Sequence, residues 1–320
     1  MRFLLFLLIV LLASCNKPAV PKIGVIPKGA SHQFWLTVQA GAIEAGREFG
    51  YEIEWNAPAL EIDASRQIDI MQSMVTRQLA GVAIAPVDKQ ALAAVIEKAT
   101  KQGVPVAVYD SDVDTRNRLT YIATDNKEAG RMAARRMGEV LNGKGKVLVV
   151  GFMPGSASTM EREAGFLEEA KAKFPNLEVL EVQFGMANRS KAMAVTENAI
   201  TAHKDLAGVF ADNESSLAGA VQALKPRGLK QIRLVGIDAS EQLIADLRED
   251  WIDSLIVQDP FRMGYLSVKA IADKRKGNAV TDRTDLAAKL ILKADLANPA
   301  IQDLLFPKLE KWLKGASPQH

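Results

Sequence analysis

The sequence predicts an α/β protein built from two doubly wound, Rossmann-like lobes. Ten short segments rich in Val and Ile alternate with longer segments whose apolar residues have helical periodicity. Strands that alternate with helices favour repeated right-handed crossovers onto parallel sheets. Ten such strands exceed one comfortable hydrophobic core, so we divide them into two lobes of about five strands each.

The predicted strands are distributed along the whole chain. In order, they are Lys22–Ile26, Tyr51–Trp55, Gly81–Ala85, Pro105–Tyr109, Leu119–Ala123, Lys146–Val150, Leu177–Val182, Gly208–Ala211, Ile232–Ile237 and Ser254–Val257. Between them, apolar residues recur at helical spacing, as at Ile68, Met71, Val75 and Leu79.

Two sites are candidates for passage between the lobes. Asp125 with Glu128 has the form of a capping box that starts a helix after a strand, and Pro260 interrupts the pattern after Gln258. We therefore expect an N-terminal lobe of residues 22–124 plus 259–285 and a C-terminal lobe of residues 125–258 plus 286–297. Because no Ser/Gly-rich linker occurs after the first fifteen residues, each passage is expected to be a hinge strand.

Residues 298–320 are predicted to form a C-terminal helical tail. Apolar residues recur there at helical spacing, at Ile301, Leu304, Leu305, Leu309, Trp312 and Leu313. The pattern predicts a helix that packs on one of the lobes, and a helix that binds a partner is the alternative.

Composition excludes several classes of protein. Of the 320 residues, 48% are hydrophobic, 24% charged and 6% aromatic, a balance typical of a globular chain rather than a disordered or polytopic membrane protein. The 40 basic and 38 acidic residues give a net charge of +2 without a basic run, so no nucleic acid partner is expected. One cysteine excludes an intramolecular disulfide and a cysteine-rich metal site, and we predict neither a metal nor a cofactor.

The first fifteen residues have the form of an export signal. After Met1 and Arg2, the apolar run from Phe3 to Ala13 is too short to span a bilayer but suits the core of a signal peptide. Its end, Leu12-Ala13-Ser14-Cys15, resembles the lipobox of bacterial lipoproteins. The resemblance implies removal of residues 1–14, lipidation of Cys15 and a tether over residues 15–21. The mature chain would then be exported and lipid-anchored, periplasmic or at the cell surface. A plain secretory signal with an incidental cysteine is the alternative.

A series of short motifs lies in register with the predicted strands. They are Ile23-Gly24-Val25-Ile26, Phe34-Trp35, Gly41-Ala42, Gly103-Val104-Pro105-Val106, Tyr109-Asp110-Ser111, Thr124-Asp125-Asn126, Ala129-Gly130, Arg162 ahead of Gly165-Phe166, Phe210-Ala211-Asp212-Asn213-Glu214, Val235-Gly236-Ile237-Asp238 and Gln258. Together they resemble the ribose-type periplasmic sugar-binding proteins, which share their fold with the effector domains of lactose-type repressors. The resemblance implies two lobes joined by a three-segment hinge that close over one sugar. It also implies delivery of that sugar to the membrane subunits of an ABC transporter, and we expect a monomer.

The same resemblance predicts the ligand site. Open parallel sheets bind ligands beyond the carboxyl ends of their strands, and a sugar requires hydrogen-bonding groups around its hydroxyls with rings against its C–H faces. Phe34 and Trp35 match stacking rings, Asp110 an acceptor carboxylate and Arg162 a forked donor. The full predicted set is Lys28, His32, Phe34, Trp35, Asp110, Ser111, Arg162, Asn213, Asp238 and Gln258.

Each of these residues also has a purely structural alternative. Either aromatic ring could belong to the core, and both Asn213 and Asp238 could cap a helix. Arg162 could pair with Glu163, and Gln258 could satisfy backbone groups of the hinge. Lys28 could be solvated, and His32 could be structural.

Two departures from the ribose pattern concern the identity of the ligand. Ser111 stands where ribose binders have arginine, and Ala187 stands where they have an aromatic residue. The changes imply a larger sugar, a polyol or a different hydroxyl geometry. Ile26-Pro27-Lys28 together with Asp110-Ser111-Asp112 also resembles receptors for a furanosyl autoinducer. The prediction is therefore a binding component for a pentose, hexose or polyol, with a signal receptor or a chemotaxis protein as alternatives.

Two further classes are less consistent with the sequence. An enzyme would need a catalytic motif, and there is no phosphate-binding loop, nucleophile elbow or paired-histidine zinc motif. Asp110 and Asp238 could act as a glycosidase pair only at a separation of about 5–9.5 Å, so we predict no enzymatic activity. A sugar-responsive repressor would begin with a DNA-binding domain, whereas an apolar export segment precedes the first strand here.

Overall fold

The computed structural model describes residues 19–30 and 32–313. The predicted signal peptide (residues 1–14), Cys15 and most of the predicted tether lie outside the described residues. Within the described residues, thirteen strands are present: β1 (Lys22–Ile26), β2 (Glu52–Trp55), β3 (Gly81–Ile84), β4 (Val106–Tyr109), β5 (Thr120–Thr124), β6 (Lys144–Gly151), β7 (Asn176–Val179), β8 (Gln183–Phe184), β9 (Leu206–Ala211), β10 (Arg233–Ile237), β11 (Ser254–Val257), β12 (Arg283–Leu286) and β13 (Lys289–Leu292).

Helices alternate with these strands. They are α1 (Gln33–Phe49), α2 (Ala64–Thr76), α3 (Ala93–Lys101), α4 (Asn126–Val140), α5 (Ala157–Lys173), α6 (Arg189–Ala202), α7 (Glu214–Leu224), α8 (Glu241–Arg248), α9 (Pro260–Arg275), α10 (Pro299–Leu305) and α11 (Glu310–Leu313), with short 3₁₀ helices at Lys225–Arg227 and Lys293–Ala297. None of the helices in the described part of the chain is both long and apolar enough to cross a membrane.

The strands form two separate sheets, as the fold prediction requires. The first sheet has the order β12-β5-β4-β3-β1-β2 and is entirely parallel. The second has the order β13-β11-β10-β9-β6-β7, with β8 also paired to β6, and only β13 is antiparallel to its neighbour. Strands β3, β4, β5 and β11 are buried along their whole length, as expected for parallel strands covered on both faces.

Each sheet carries an apolar cluster on both faces, so each lobe is doubly wound. On the first sheet, one cluster includes Met71 of α2 and Ile96 of α3, and the other includes Val38 of α1 and Ile271 of α9. On the second sheet, helices α6, α7 and α8 contribute to one cluster, and α4 and α5 contribute to the other.

The chain passes between the sheets three times. The passages lie between β5 and β6, between β11 and β12, and between β12 and β13. At the first passage Asp125 caps α4, because its side chain accepts a hydrogen bond from the Glu128 N–H at 2.9 Å. The other half of the predicted capping box is absent, since the Asp125 N–H donates to the Leu286 carbonyl. The structure thus has the two lobes and the three connections of the predicted fold.

The structure differs from the sequence prediction in a few elements. The strand predicted at 177–182 is shorter in the structure, because β7 ends at Val179 and residues 180–182 belong to no strand. Strand β8 follows at Gln183–Phe184, and both β7 and β8 pair with β6. Strands β12 and β13 were missed because they lie at sheet edges and carry exposed charged residues such as Arg283 and Lys289. The described part of the tail, residues 298–313, forms two short helices rather than one, since Pro307 falls between α10 and α11 and proline disfavours a continuous helix. Residues 314–320 of the predicted tail lie outside the described residues.

Candidate ligand-binding site

One cavity between the lobes brings together nine of the ten predicted site residues. Its free volume is about 30 Å³, well below the about 300–1,000 Å³ typical of small-molecule sites, so in this arrangement the lobes leave little space between them. It lies beyond the carboxyl ends of strands from both sheets. Its lining consists of Lys28, His32, Phe34, Trp35, Glu61, Asp110, Phe152, Ser158, Thr159, Arg162, Asn213, Glu214, Asp238 and Gln258.

Lys28 lies at the centre of a buried polar cluster that joins the lobes. Its Nζ is 2.8 Å from Asp110 Oδ2 and donates to Ser111 Oγ at 2.6 Å, both within the first lobe. The same Nζ donates to the hydroxyls of Ser156 and Ser158 of the second lobe, each at 3.3 Å. Ser111, the tenth predicted residue, reaches the site through these contacts, and its Oγ lies 2.7 Å from Ser158 Oγ. The solvated alternative for Lys28 is therefore wrong.

Arg162 is held by the second lobe and by a close crossing of α4 and α5. Its Nε donates to Asn126 Oδ1 and its Nη1 to the Asp212 carbonyl, each at 2.8 Å, so the suggested pairing with Glu163 is wrong. A Cβ added at Gly130 would lie 2.0 Å from the Arg162 carbonyl oxygen. Glycine therefore permits the helix approach that brings the guanidinium into the cavity wall.

Asp238 and Gln258 form a buried chain of hydrogen bonds towards the hinge. Gln258 Nε2 donates to Asp238 Oδ1 at 2.6 Å, and Gln258 Oε1 accepts from Thr124 Oγ1 at 2.8 Å. Burial raises the pKa of Asp238. The charge of Arg162 and the hydrogen bond from Gln258 lower the same pKa, but burial is the larger effect. Asp238 does not cap α8, because Ser240 is the cap of that helix. Gln258 bonds to side chains rather than to hinge backbone.

Asn213 caps α7 and also lines the cavity. Its Oδ1 accepts from the Ser216 N–H at 3.1 Å, so the capping alternative is correct and coexists with a position in the wall. The next residue, Glu214, is 3% exposed and accepts from Arg189 Nη2 at 3.1 Å through Oε1. The Glu214 N–H donates to Asp238 Oδ2 at 3.0 Å, which links the two strand ends.

Phe34, Trp35 and His32 form the wall contributed by the start of α1. The two rings meet edge to face with centroids 4.8 Å apart, and Trp35 Nε1 donates to Glu61 Oε1 at 2.7 Å. His32 Nδ1 lies 2.9 Å from the same oxygen. Burial lowers the pKa of His32, but the hydrogen bond to Glu61 and the charges of Glu61 and Glu214 outweigh it. The net pKa is therefore raised above its ordinary value, which favours the charged imidazolium.

Five lining residues were not predicted from the sequence: Glu61, Phe152, Ser158, Thr159 and Glu214. Phe152 follows β6 in the second lobe, yet it is 2% exposed and belongs to the apolar cluster of the first lobe with Val87 and Val113. Glu61 lies in the loop before α2, and no local pattern indicates its fold back onto Trp35. Glu214 was named only as part of the motif that contains Asn213. Its position directly after Asn213, a predicted ligand residue at a strand end, was a signal that could have identified it.

Comparisons with known proteins agree with this geometry. Residues 23–279 match the family model of the periplasmic binding protein domain. The chain belongs to this family. The match confirms the resemblance predicted from the sequence and the two-lobed α/β fold class of this periplasmic binding protein.

Individual relatives of this periplasmic binding protein are named for sugars. The ribose import binding protein of Bacillus subtilis is 27% identical over 268 residues, covering 84% of this chain and 86% of the relative. The D-ribose/D-allose-binding protein of Pseudomonas aeruginosa is 27% identical over 230 residues, covering 69% and 72%.

Among solved structures, two similar ones hold sugars. The carbohydrate transporter solute-binding protein of Agrobacterium radiobacter, in complex with D-arabinose, has a TM-score of 0.87 at 30% identity and covers 90% of this chain and 99% of its own. An ABC transporter solute-binding protein of Agrobacterium vitis, bound with α-D-tagatopyranose, has a TM-score of 0.85 at 28% identity, with coverage of 89% and 98%.

Proposed function

We propose that this chain is the substrate-binding component of an ABC importer, which captures a pentose, hexose or polyol by closure of its lobes. The observation that carries the proposal is the convergence of polar and aromatic residues from both lobes on one buried cavity. The sugars named for its relatives support the same class of ligand. No covalent step is needed for this role.

The ten predicted residues are proposed to have different roles in ligand binding. Phe34 and Trp35 pack against the C–H faces of the sugar, while Asp110, Asn213, Asp238 and Gln258 bind its hydroxyls. Arg162 donates to ring or hydroxyl oxygens with the guanidinium edge left free by Asn126 and Asp212. Lys28 and Ser111 support Asp110, and His32 contributes a charged donor.

Closure is proposed to be a rotation of two bodies about the three connections. The bodies are residues 22–124 plus 259–285 and residues 125–258 plus 286–297. Ligand contacts from both bodies favour the closed arrangement, which the membrane subunits of the transporter then recognise. Contacts across the lobes support this mechanism, since Lys28 reaches Ser156 and Ser158 and Phe152 packs into the opposite lobe.

A thermal-shift screen followed by calorimetry tests the proposal. D-ribose, D-allose, D-arabinose, D-tagatose and a set of polyols are the probes. A ligand at about 100 times its Kd adds about 2.7 kcal/mol to stability, and at least one probe should raise the melting temperature clearly. In Asp110→Ala, binding of that probe should weaken by roughly 2–5 kcal/mol. The proposal is wrong if no sugar or polyol binds, or if Asp110→Ala binds as tightly as the natural chain.

A receptor for a furanosyl autoinducer is the second candidate. It is favoured by Lys28 and Asp110, which form a buried ion pair at the cavity within the motifs that resemble such receptors. Including the furanosyl signal in the same screen separates the two, because only a signal receptor would prefer it to every plain sugar. A chemotaxis or other sensing role would use the same closure and would appear as binding to a receptor domain instead of transporter subunits.

The lipid anchor and the absence of catalysis are also part of the proposal. A chain lipidated at Cys15 should incorporate labelled fatty acid and sediment with membranes, and Cys15→Ala should abolish both. In contrast, an incidental cysteine would leave localisation unchanged in the variant.

Asp110 and Asp238 are proposed to bind rather than cleave, so prolonged incubation with the best ligand and with its glycosides should give no new product.

A further inference from the structure

Glu214 presents a carboxylate oxygen that the fold does not use. The side chain is 3% exposed and lines the ligand cavity. Oε1 accepts from Arg189, whereas Oε2 is buried without a hydrogen-bond partner among residues 19–30 and 32–313. A buried acceptor without a hydrogen bond costs about 1–3 kcal/mol, so a ligand that donates to it gains binding free energy of that size.

Asp110 presents a comparable oxygen from the other lobe. Its Oδ2 is 2.8 Å from Lys28 Nζ, but the direction of that contact does not make a hydrogen bond, and the oxygen has no other partner in the described part of the chain. The cavity therefore offers an unpaired acceptor from the second lobe, Glu214 Oε2, and an ion-paired carboxylate oxygen from the first lobe, and Asp238 adds a third carboxylate to its lining.

We infer that Glu214 is a ligand-binding residue that sets specificity. It accepts a hydrogen bond from a free hydroxyl at the end of the ligand opposite to the hydroxyl bound by Asp110. The inference rests on the proposed sugar-binding function and narrows it to uncharged sugars or polyols with free hydroxyls at both ends. The four carboxylates of the lining, Glu61, Asp110, Glu214 and Asp238, outnumber its three cations, Lys28, His32 and Arg162, so the added negative charge of a sugar acid is unfavourable in this desolvated site.

Calorimetry with the sugar that binds best, its monodeoxy analogues and its sugar acid tests this inference. Glu214→Gln should weaken binding roughly 10- to 100-fold, and one deoxy analogue should bind the variant and the natural chain equally. The control is Glu197→Gln, whose carboxylate pairs with Arg227 on the surface of the second lobe. Unchanged binding by Glu214→Gln, or tight binding of the sugar acid, would overturn the inference. If no sugar binds the natural chain, the proposed function itself fails.

A separate observation concerns the C-terminal segment, which is attached to both lobes. Leu305 of α10 is 1% exposed within the apolar cluster of the second lobe. Trp312 of α11 donates from Nε1 to Glu44 Oε2 at 2.7 Å on α1 of the first lobe, and its ring lies 5.1 Å from that of Phe261 on α9. Residues 305–312 therefore bridge the lobes in addition to the three connections.

The bridge also forms a wall beside the ligand cavity. Leu304, Leu305 and Pro307 line a second space together with Phe34 and Gln258, which also line the main cavity. At the same place, Gln33 Nε2 donates to the Leu305 carbonyl at 3.4 Å, and Gln33 Oε1 accepts from the Glu241 N–H at 3.2 Å.

We propose that this bridge restrains opening of the lobes and slows release of the ligand. Rotation of the lobes apart would separate the anchors at Leu305 and Trp312, so one of them must detach first. Trp312→Ala should accelerate ligand release about tenfold and increase the radius of gyration of the ligand-free chain in X-ray scattering.

The control for this test is Trp251→Ala, because the Trp251 ring contacts Lys225 and Lys230, which both belong to the second lobe. Trp312→Phe, which keeps a ring but loses the bond to Glu44, is a milder variant in case the alanine variant folds poorly. Release rates in both Trp312 variants equal to that of Trp251→Ala would overturn the proposal.

Discussion

Asp110 and Asp238 occupy matching positions in the two lobes. Each follows a parallel strand inside its sheet, β4 and β10, and each has a left-handed backbone, with φ of 61° and 80°. The Asp110 N–H donates to the Ile122 carbonyl, and the Asp238 N–H donates to the Ile256 carbonyl, both at 3.0 Å. The same backbone geometry thus turns one carboxylate from each sheet into the shared cavity.

The left-handed backbone at Asp238 predicts different effects for two substitutions. Asparagine tolerates positive φ, whereas a β-branched residue is strained there by roughly 1–3 kcal/mol. Asp238→Asn should therefore unfold in urea near the natural midpoint, and Asp238→Val should unfold at a clearly lower one. Calorimetry should find weaker ligand binding in both variants. Equal urea midpoints for the two variants would contradict the strain argument.

The buried pair of Lys28 and Asp110 predicts a large effect of removing its cation. Lys28→Met leaves the Asp110 carboxylate without a countercharge in a site where both side chains are about 5% exposed or less, which costs about 3–5 kcal/mol. Lys22→Met is the matched control, because Lys22 pairs with Glu52 at 2.6 Å while both side chains are about half exposed, so the loss is about 0–1 kcal/mol. Urea denaturation measures both. Adding Asp110→Asn to Lys28→Met should recover part of the loss, and a Lys28→Met variant as stable as Lys22→Met would refute the prediction.

Much of the fold was predictable because its strands are buried apolar runs. Segments such as Ser254–Val257 are apolar on both faces and are bounded by polar residues, so their ends are visible in the sequence. Strand β12 is different, since only Leu286 of its four residues is buried and its pairing with β5 depends on the tertiary fold. Edge strands of this kind show little hydrophobic periodicity in the sequence.

The candidate site was predictable where a residue directly follows a strand. Asp110, Asn213 and Asp238 could be placed together because parallel strands end at one edge of a sheet. Glu61 and Phe152 could not, since Glu61 reaches Trp35 from a loop and Phe152 crosses into the opposite lobe. Their positions depend on how distant segments fold back and on how the two lobes meet, which no local pattern encodes.

The crossing of α4 and α5 predicts a link between helix packing and ligand binding. A Cβ at Gly165 would lie 2.1 Å from the Lys127 carbonyl oxygen, so Gly165→Ala must push the helices apart, at a cost of about 1–3 kcal/mol. Because Arg162 lies one turn earlier on α5, the affinity for the ligand should fall as well. Gly264→Ala is the matched control, since its Cβ would lie 2.0 Å from the Val38 carbonyl oxygen in the other lobe, away from Arg162. It should lower stability to a similar degree with a smaller effect on affinity, as measured by denaturation and calorimetry, and equal losses of affinity would contradict the link.

Glu163 and Asp212 form a buried carboxyl pair behind the cavity. Glu163 Oε1 and Asp212 Oδ1 have no donor within the described residues, and one shared proton would satisfy both oxygens. Burial raises the pKa of Glu163 to about 7, and burial together with the charge of Glu163 raises the pKa of Asp212. The pair also supports the cleft, because Asp212 Oδ2 accepts from the Phe152 N–H at 3.0 Å and the Asp212 carbonyl accepts from Arg162.

This pair predicts a loss of stability as the pH rises. Between the ordinary pKa of 4.5 and the folded value of about 7, the folded chain binds more protons at Glu163 than the unfolded chain does. The contribution of Glu163 to the free energy of unfolding is therefore present below pH 4.5 and decreases towards pH 7, by at most about 1.4 kcal/mol per pH unit. Urea denaturation from pH 4.5 to 7.5 should give a flatter profile for Glu163→Gln than for the natural chain. Glu168→Gln is the control, because its side chain is 55% exposed on the same helix, and its free energy of unfolding should change with pH as that of the natural chain does. An equal pH dependence in Glu163→Gln and Glu168→Gln would contradict the shared proton.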